Sequence, residues 1–168
     1  MAQLIKNNAV VVDTWKTLEP GEGETPETVA LPEGDVIFPL AVWQARKAEI
    51  AGRAKIGLLL KGDDSLESVA DELGRFAVIA INFPKFADGR GYSTASLLRQ
   101  RYHYTGELRA IGDILHDQLF FLKRVGFDAF AFKDGKDVAH AIAHGFTTFS
   151  DAYQASTDQP LPRFRRRA

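Results

Sequence analysis

Three short runs in this chain are apolar almost throughout: IGLLL at 56–60, FAVIAI at 76–81 and FDAFAF at 127–132. A strand with one wet face alternates apolar and polar residues; a run without alternation must be covered on both faces. Segments with helical spacing separate these runs. Residues 41–51 place Val42, Ala45, Ile50 and Ala51 partly on one face and stop at Gly52. Leu66, Val69, Ala70 and Leu73 form a stripe after Ser65 and end at Gly74, with Ser65 as the expected N-cap. Ala95, Leu98 and Tyr102 face inward from a helix over 92–102. Leu115, Leu119 and Leu122 do the same from a helix over 114–125 that closes at Gly126, and 138–144 reads as a final helix stopped by Gly145. With shorter strands at 36–38 and 107–111, the count is about five β-α units. The fold class is therefore α/β with a mostly parallel sheet. Five units do not close an eight-fold barrel, so the sheet is an open doubly wound one or a partial barrel. Strands at 3–5 and 9–12, joined by Asn7-Asn8, predict a short N-terminal β-hairpin.

At 168 residues the expectation is one α/β domain over 1–155, followed by a basic, flexible tail over 156–168 (PLPRFRRRA from 160). The acidic, Gly- and Pro-rich stretch 19–27 reads as a solvated loop. A net charge of −1 gives no reason to expect nucleic acid as a partner, and no apolar run approaches the ~18 residues of a membrane span. The N-terminus lacks the apolar core of a signal peptide, so the expected location is cytoplasmic. There is no cysteine, which excludes disulfides, thiolate metal sites and thiol nucleophiles supplied by this chain.

Ligands of parallel α/β proteins bind at the carboxyl ends of the strands. The stretch FPKFADGRGYS follows one such end, and Gly112-Asp113 follows the next. Asn82, Lys85, Asp88, Gly89, Arg90 and Gly91 then share an edge with Asp113, and Lys85, Arg90 and Asp113 converge if the two strands are neighbours. Arg90 suits bidentate capture of an oxyanion, Lys85 adds a point charge, and Ser93 either caps the next helix or donates to the ligand. A blander reading stays open: Asp88 shapes the turn and Arg90 pairs with Asp88 or Asp113. Glu107 and Arg109, two apart on a strand, share a face. Asp113 and Asp117, four apart, would share a helix face; such carboxylates do acid–base work or hold Mg²⁺, but more often complement the helix dipole. Arg99 and Arg101 fit a helix C-terminus. His103 and His116 are isolated candidates for a general base. Asp137, His140 and His144 lack a third strong ligand, and no metal site is expected. Neither G-x-x-x-x-G-K-[ST] nor G-x-G-x-x-G occurs, so no cofactor is legible.

The strings FPKFADGRGYS, LLRQR, GELRAIGDILHDQL and RVGFDAF, spread over roughly residues 30–150, resemble the bacterial family called domain of unknown function 934. The chain departs from that family's pattern at Ser96, where a basic residue is usual, and at Val125, where Cys is frequent. The resemblance implies an oxidoreductase associated with sulfite reduction in sulfur assimilation, a role that rests on gene neighbourhood. Three functions follow as expectations. The first is an accessory protein of assimilatory sulfite reduction that binds a small oxyanion, or the sulfite reductase itself. Lys85, Asp88, Arg90, Ser93 and Arg109 would hold the anion, and the cofactor is unknown. The second is a non-redox enzyme, a lyase or isomerase, acting on an anionic small molecule through Asp113 and Asp117. A structural subunit, as a homodimer using the same block as its interface, is the third alternative.

Overall fold

A computed structural model describes residues 3–133, 137–147 and 149–166. The chain opens with β1 (Gln3–Lys6) and β2 (Ala9–Val12), paired antiparallel. Asn7 and Asn8 between them both take positive φ, 54° and 59°, the backbone of a type I′ hairpin turn. Then follow β3 (Lys16–Thr17), β4 (Val36–Pro39), α1 (Leu40–Ile50), β5 (Ile56–Leu60), a 3-10 segment (Leu66–Arg75) and β6 (Val78–Phe83). After them come α2 (Arg90–Gln100), β7 (Glu107–Gly112), a 3-10 turn (His116–Gln118), α3 (Leu119–Val125), β8 (Ala129–Phe132), α4 (Val138–His144) and α5 (Arg163–Arg166).

All eight strands form one sheet in the order β2-β1-β8-β7-β6-β5-β4-β3. Strands β3 to β8 are parallel and stand in chain order. A doubly wound sheet reverses its strand order at a switch point; this one does not, so of the two architectures open at the sequence level the chain adopts the partial barrel. The sixth parallel strand, β3, is two residues long and gives no periodic signal.

The curl has a simple cause. Eight flat strands about 4.8 Å apart would span about 34 Å. Yet only residues 13–15 separate β2, at one edge, from β3, at the other. Four Cα steps reach at most about 14 Å, so the edges must bend toward each other.

The convex face carries the core. Phe38, Leu58, Ile79, Ile81 and Leu108 on the strands pack with Trp43 of α1, Val69 of the 3-10 segment, Leu98 of α2 and Leu122 of α3. The concave face is lined by smaller residues, among them Ile37, Leu59, Val78 and Ala80, with Trp15 laid over them. Gly57 belongs to this face: a Cβ there would lie 2.7 Å from Ile37 Cγ1.

Three local expectations change. Ser65 does not cap; its hydroxyl donates to Glu67 at 3.0 Å, and the segment winds as a 3-10 helix. The helix expected from residue 114 begins only at Leu119, after an extended Leu115 (φ −120°, ψ 160°) and a 3-10 turn over His116–Gln118. The helix expected from residue 92 begins at Arg90. Residues 151–166 lie against α3: Ser156 and Thr157 hydroxyls donate to the carbonyls of Arg124 and Val125, and Arg166 pairs with Asp151. No helix among the described residues is long and apolar enough to cross a membrane.

Candidate functional site

Strands β6 and β7 are parallel neighbours, with Asn82 opposite Ile111 and Phe83 opposite Gly112. The segments leaving their carboxyl ends therefore lie side by side. Gly112 takes φ +100°, and a Cβ there would run into the Phe83 carbonyl oxygen and lie 2.6 Å from Asn82 Oδ1. Only glycine fits this crossing. The Asp113 N–H then donates to the Phe83 carbonyl at 2.7 Å, and Asp113 Oδ2 accepts from the Phe86 N–H at 3.3 Å.

A second clamp holds the same loop. Gln118 is buried; its Nε2 donates to the Phe86 carbonyl at 3.3 Å and its Oε1 accepts from the Leu115 N–H at 2.9 Å. Burial raises the Tyr92 hydroxyl pKa, and the Asp117 charge adds to this, against a hydrogen bond with Gln118. Gln118 was not among the residues singled out from the sequence. Its signal is a polar residue on the apolar stripe of Leu115, Leu119 and Leu122.

Arg90 and Asp88 form a bidentate pair. Arg90 Nε and Nη2 donate to the two Asp88 oxygens at 3.0 and 2.7 Å, and the Arg90 N–H donates to Oδ1 at 3.2 Å. These bonds hold the Asp88 carboxyl down at about 2, with the side-chain bond the largest cause. The same bond, and then the charges of Asp88 and Asp63, raise Arg90. The guanidinium rests on the backbone of the loop after β5, where a Cβ on Gly62 would lie 2.6 Å from Arg90 Nε. Arg90 thus joins two strand-end loops, and its Nη1 donates to no group among the described residues.

The glycines of DGRG divide their work. Gly89 faces open space, whereas a Cβ on Gly91 would meet the Phe83 ring at 2.5 Å. Gly91 therefore lets α2 pack on β6 and is not an approach for a ligand. Ser93 lies inside the first turns of α2 and cannot cap it; α2 has no side-chain cap at Gly89 and no acidic residue in its first turn. Lys85 is exposed and makes no ion pair among the described residues.

Arg109 is not part of this group. It lies on the concave face, 2% exposed, between Ala80 and Ala129 in register. These small neighbours leave room for its guanidinium. Nη1 meets Asp13 at 2.7 Å, and Nη2 meets Glu107 at 2.7 Å. Lys6 reaches the other Glu107 oxygen at 2.6 Å. Burial pushes Glu107 up, but the Lys6 bond and the Arg109 charge outweigh it, and the carboxyl is lowered. Two cations and two carboxylates thus satisfy one another, and the oxyanion pocket of Lys85, Arg90 and Arg109 does not assemble.

Asp113 and Asp117 do not share a helix face: Asp113 follows β7, and Asp117 lies exposed in the next 3-10 turn. Arg99, read as a helix-end charge, is a staple. It donates to the carbonyls of Gly126, Tyr104 and Gly106 and to Asp128. Asp137 caps α4 by accepting from the His140 N–H at 2.8 Å. The His140 ring meets His116 edge-on at 4.8 Å and lies tilted against His144 at 4.6 Å. No group of three or more His, Asp or Glu among the described residues is placed to hold a metal ion.

No curated protein and no solved structure matches the chain. The family model described as "Bacterial protein of unknown function (DUF934)" matches residues 57–164, from β5 to the C-terminal turn and including both loops of the site. Because that match covers more than half of the sequence, the chain belongs to the bacterial family DUF934.

Proposed function

We propose that the chain is an accessory protein of assimilatory sulfite reduction that holds a small oxyanion, sulfite foremost, at the turn from β6 into α2. The observation that supports this reading is the posture of Arg90. Asp88 fixes its guanidinium by two parallel bonds, its Nη1 donates to no group among the described residues, and Lys85 is exposed in the same loop. A fixed fork loses little entropy on binding, and a helix N-terminus favours negative charge. The choice of sulfite rests on the family resemblance. Asp88 cancels one of the two cations, so binding is weak, with a dissociation constant of about a millimolar. Phe86, 47% exposed in the same loop, offers an apolar contact to the reductase.

Isothermal titration of the chain with sodium sulfite tests this reading. Saturable binding that is lost in Arg90→Met with Lys85→Met supports it, as does recovery of the reductase with the tagged chain from native cells. No heat with sulfite, sulfate or phosphate, together with no reductase recovered, defeats it. Acid–base chemistry by Asp113 and Asp117 together draws no support from the geometry. Asp113, in the link after β7, is bonded to the Phe86 backbone, and Asp117 lies exposed in the following 3-10 turn.

A further inference from the structure

A cavity of about 280 Å³ opens at the carboxyl ends of β3 to β7, on the concave side of the sheet, and neither Arg90 nor Asp88 lines it. Its floor is apolar, with Leu59 and Ile111. Its rim carries Thr17, Glu19, Lys61 and Asn82. Concave strand ends of parallel α/β sheets are where such proteins hold small molecules. The volume falls just below the ~300–1,000 Å³ of pockets for drug-sized ligands, so the occupant is a single small metabolite and not a nucleotide.

The rim charges define its chemistry. Glu19 and Lys61 line the same cavity but form no ion pair with each other, and the side chain of neither makes a hydrogen bond among the described residues. One cation and one anion, unpaired among the described residues and on the rim of one apolar-floored cavity, complement a ligand with opposite charges at its two ends. Asn82 adds an amide that can both donate and accept. It sits on the concave face at the end of the central strand β6, and its side chain makes no hydrogen bond among the described residues. We infer that this cavity binds a small zwitterion of free amino-acid size, with its carboxylate on Lys61, its ammonium on Glu19 and its side chain on the Leu59–Ile111 floor.

Amide chemical-shift titration of the ¹⁵N-labelled chain tests the inference, with L-alanine, L-serine and L-valine as probes. The expected result is saturable shifts at Thr17, Glu19, Lys61 and Asn82. N-acetylation or carboxamidation of the probe removes one charged contact each and should weaken binding about tenfold. Lys61→Met should abolish the penalty for blocking the carboxylate, and Glu19→Gln that for blocking the ammonium. Both residues are exposed, so the variants keep the fold; if either fails to fold, the blocked probes on the unaltered chain still decide. No saturable shift with any probe overturns the proposal, as does equal binding of free and doubly blocked probes. Sulfite added to the unaltered chain should not displace the bound zwitterion, which separates this site from the oxyanion reading.

Discussion

Asp13 and Arg109, 96 residues apart in the chain, meet at 2.7 Å on the concave face of the sheet. Asp13 stands in the short link that crosses from one sheet edge to the other, so this contact ties the curl of the barrel to its central strands. Removing one partner of a buried ion pair costs about 3–5 kcal/mol, because the remaining charges lose their counterion. Arg109→Ala leaves the Asp13 carboxylate without its counterion while Glu107 keeps Lys6, and should fall in that range. Asp13→Ala should cost less, since Arg109 keeps Glu107. Urea unfolding measures both; a loss below about 1 kcal/mol for Arg109→Ala, the scale of a surface pair, would mean the network does not hold the curl.

Glu107 gives the acid dependence its sign. Its folded carboxyl is lowered, so its contribution is fully present above the ordinary glutamate value and is lost as pH falls through the lowered one. Asp128 acts oppositely: burial raises it, so its contribution is present at low pH and lost as pH rises through the raised value. The stability difference between the native chain and Glu107→Gln should therefore shrink steadily on acidification below about pH 4.3. A difference constant from neutral to strongly acid pH contradicts the ion-pair account.

The Asp88 carboxyl should titrate at about 2 by carbon NMR. In Arg90→Met the main hydrogen bonds holding it down are gone, and the midpoint should rise toward the ordinary ~3.9. An unmoved midpoint would show that Arg90 does not occupy the fork geometry in solution.

Gly112→Ala should destabilise the chain by roughly 1–3 kcal/mol, the scale of a strained backbone conformation. The positive φ and the Phe83 carbonyl both oppose a methyl group there. Gly89→Ala, which faces open space at φ −86°, is the control and should be nearly neutral. Thermal melting of the two variants reads the contrast.

Gln118→Leu keeps the volume but leaves the Leu115 N–H and Phe86 carbonyl without their partner. The 84–88 loop should then exchange its amides faster, while β6 stays protected. Hydrogen exchange distinguishes that outcome from a uniform loss of stability.

The sequence determined the parallel sheet, because runs such as IGLLL and FAVIAI have no polar face to turn to water. It determined the hairpin through Asn7-Asn8, whose side chains tolerate positive φ. It also located the strand-end loops, since the carboxyl edge of a strand follows from chain direction alone. Tertiary structure decided the rest. Whether the sheet opened or curled depended on strand order and on a three-residue link that becomes informative only once both edges are known. Whether Arg109 served an anion site or an internal ion pair depended on Asp13, which no local pattern connects to it. Whether the DGRG glycines faced a ligand or a neighbour depended on the packing of α2 against Phe83. Hydrophobic periodicity is local and survives in the sequence; the partner of a charge is set by contacts between distant segments, and those exist only after the chain has folded.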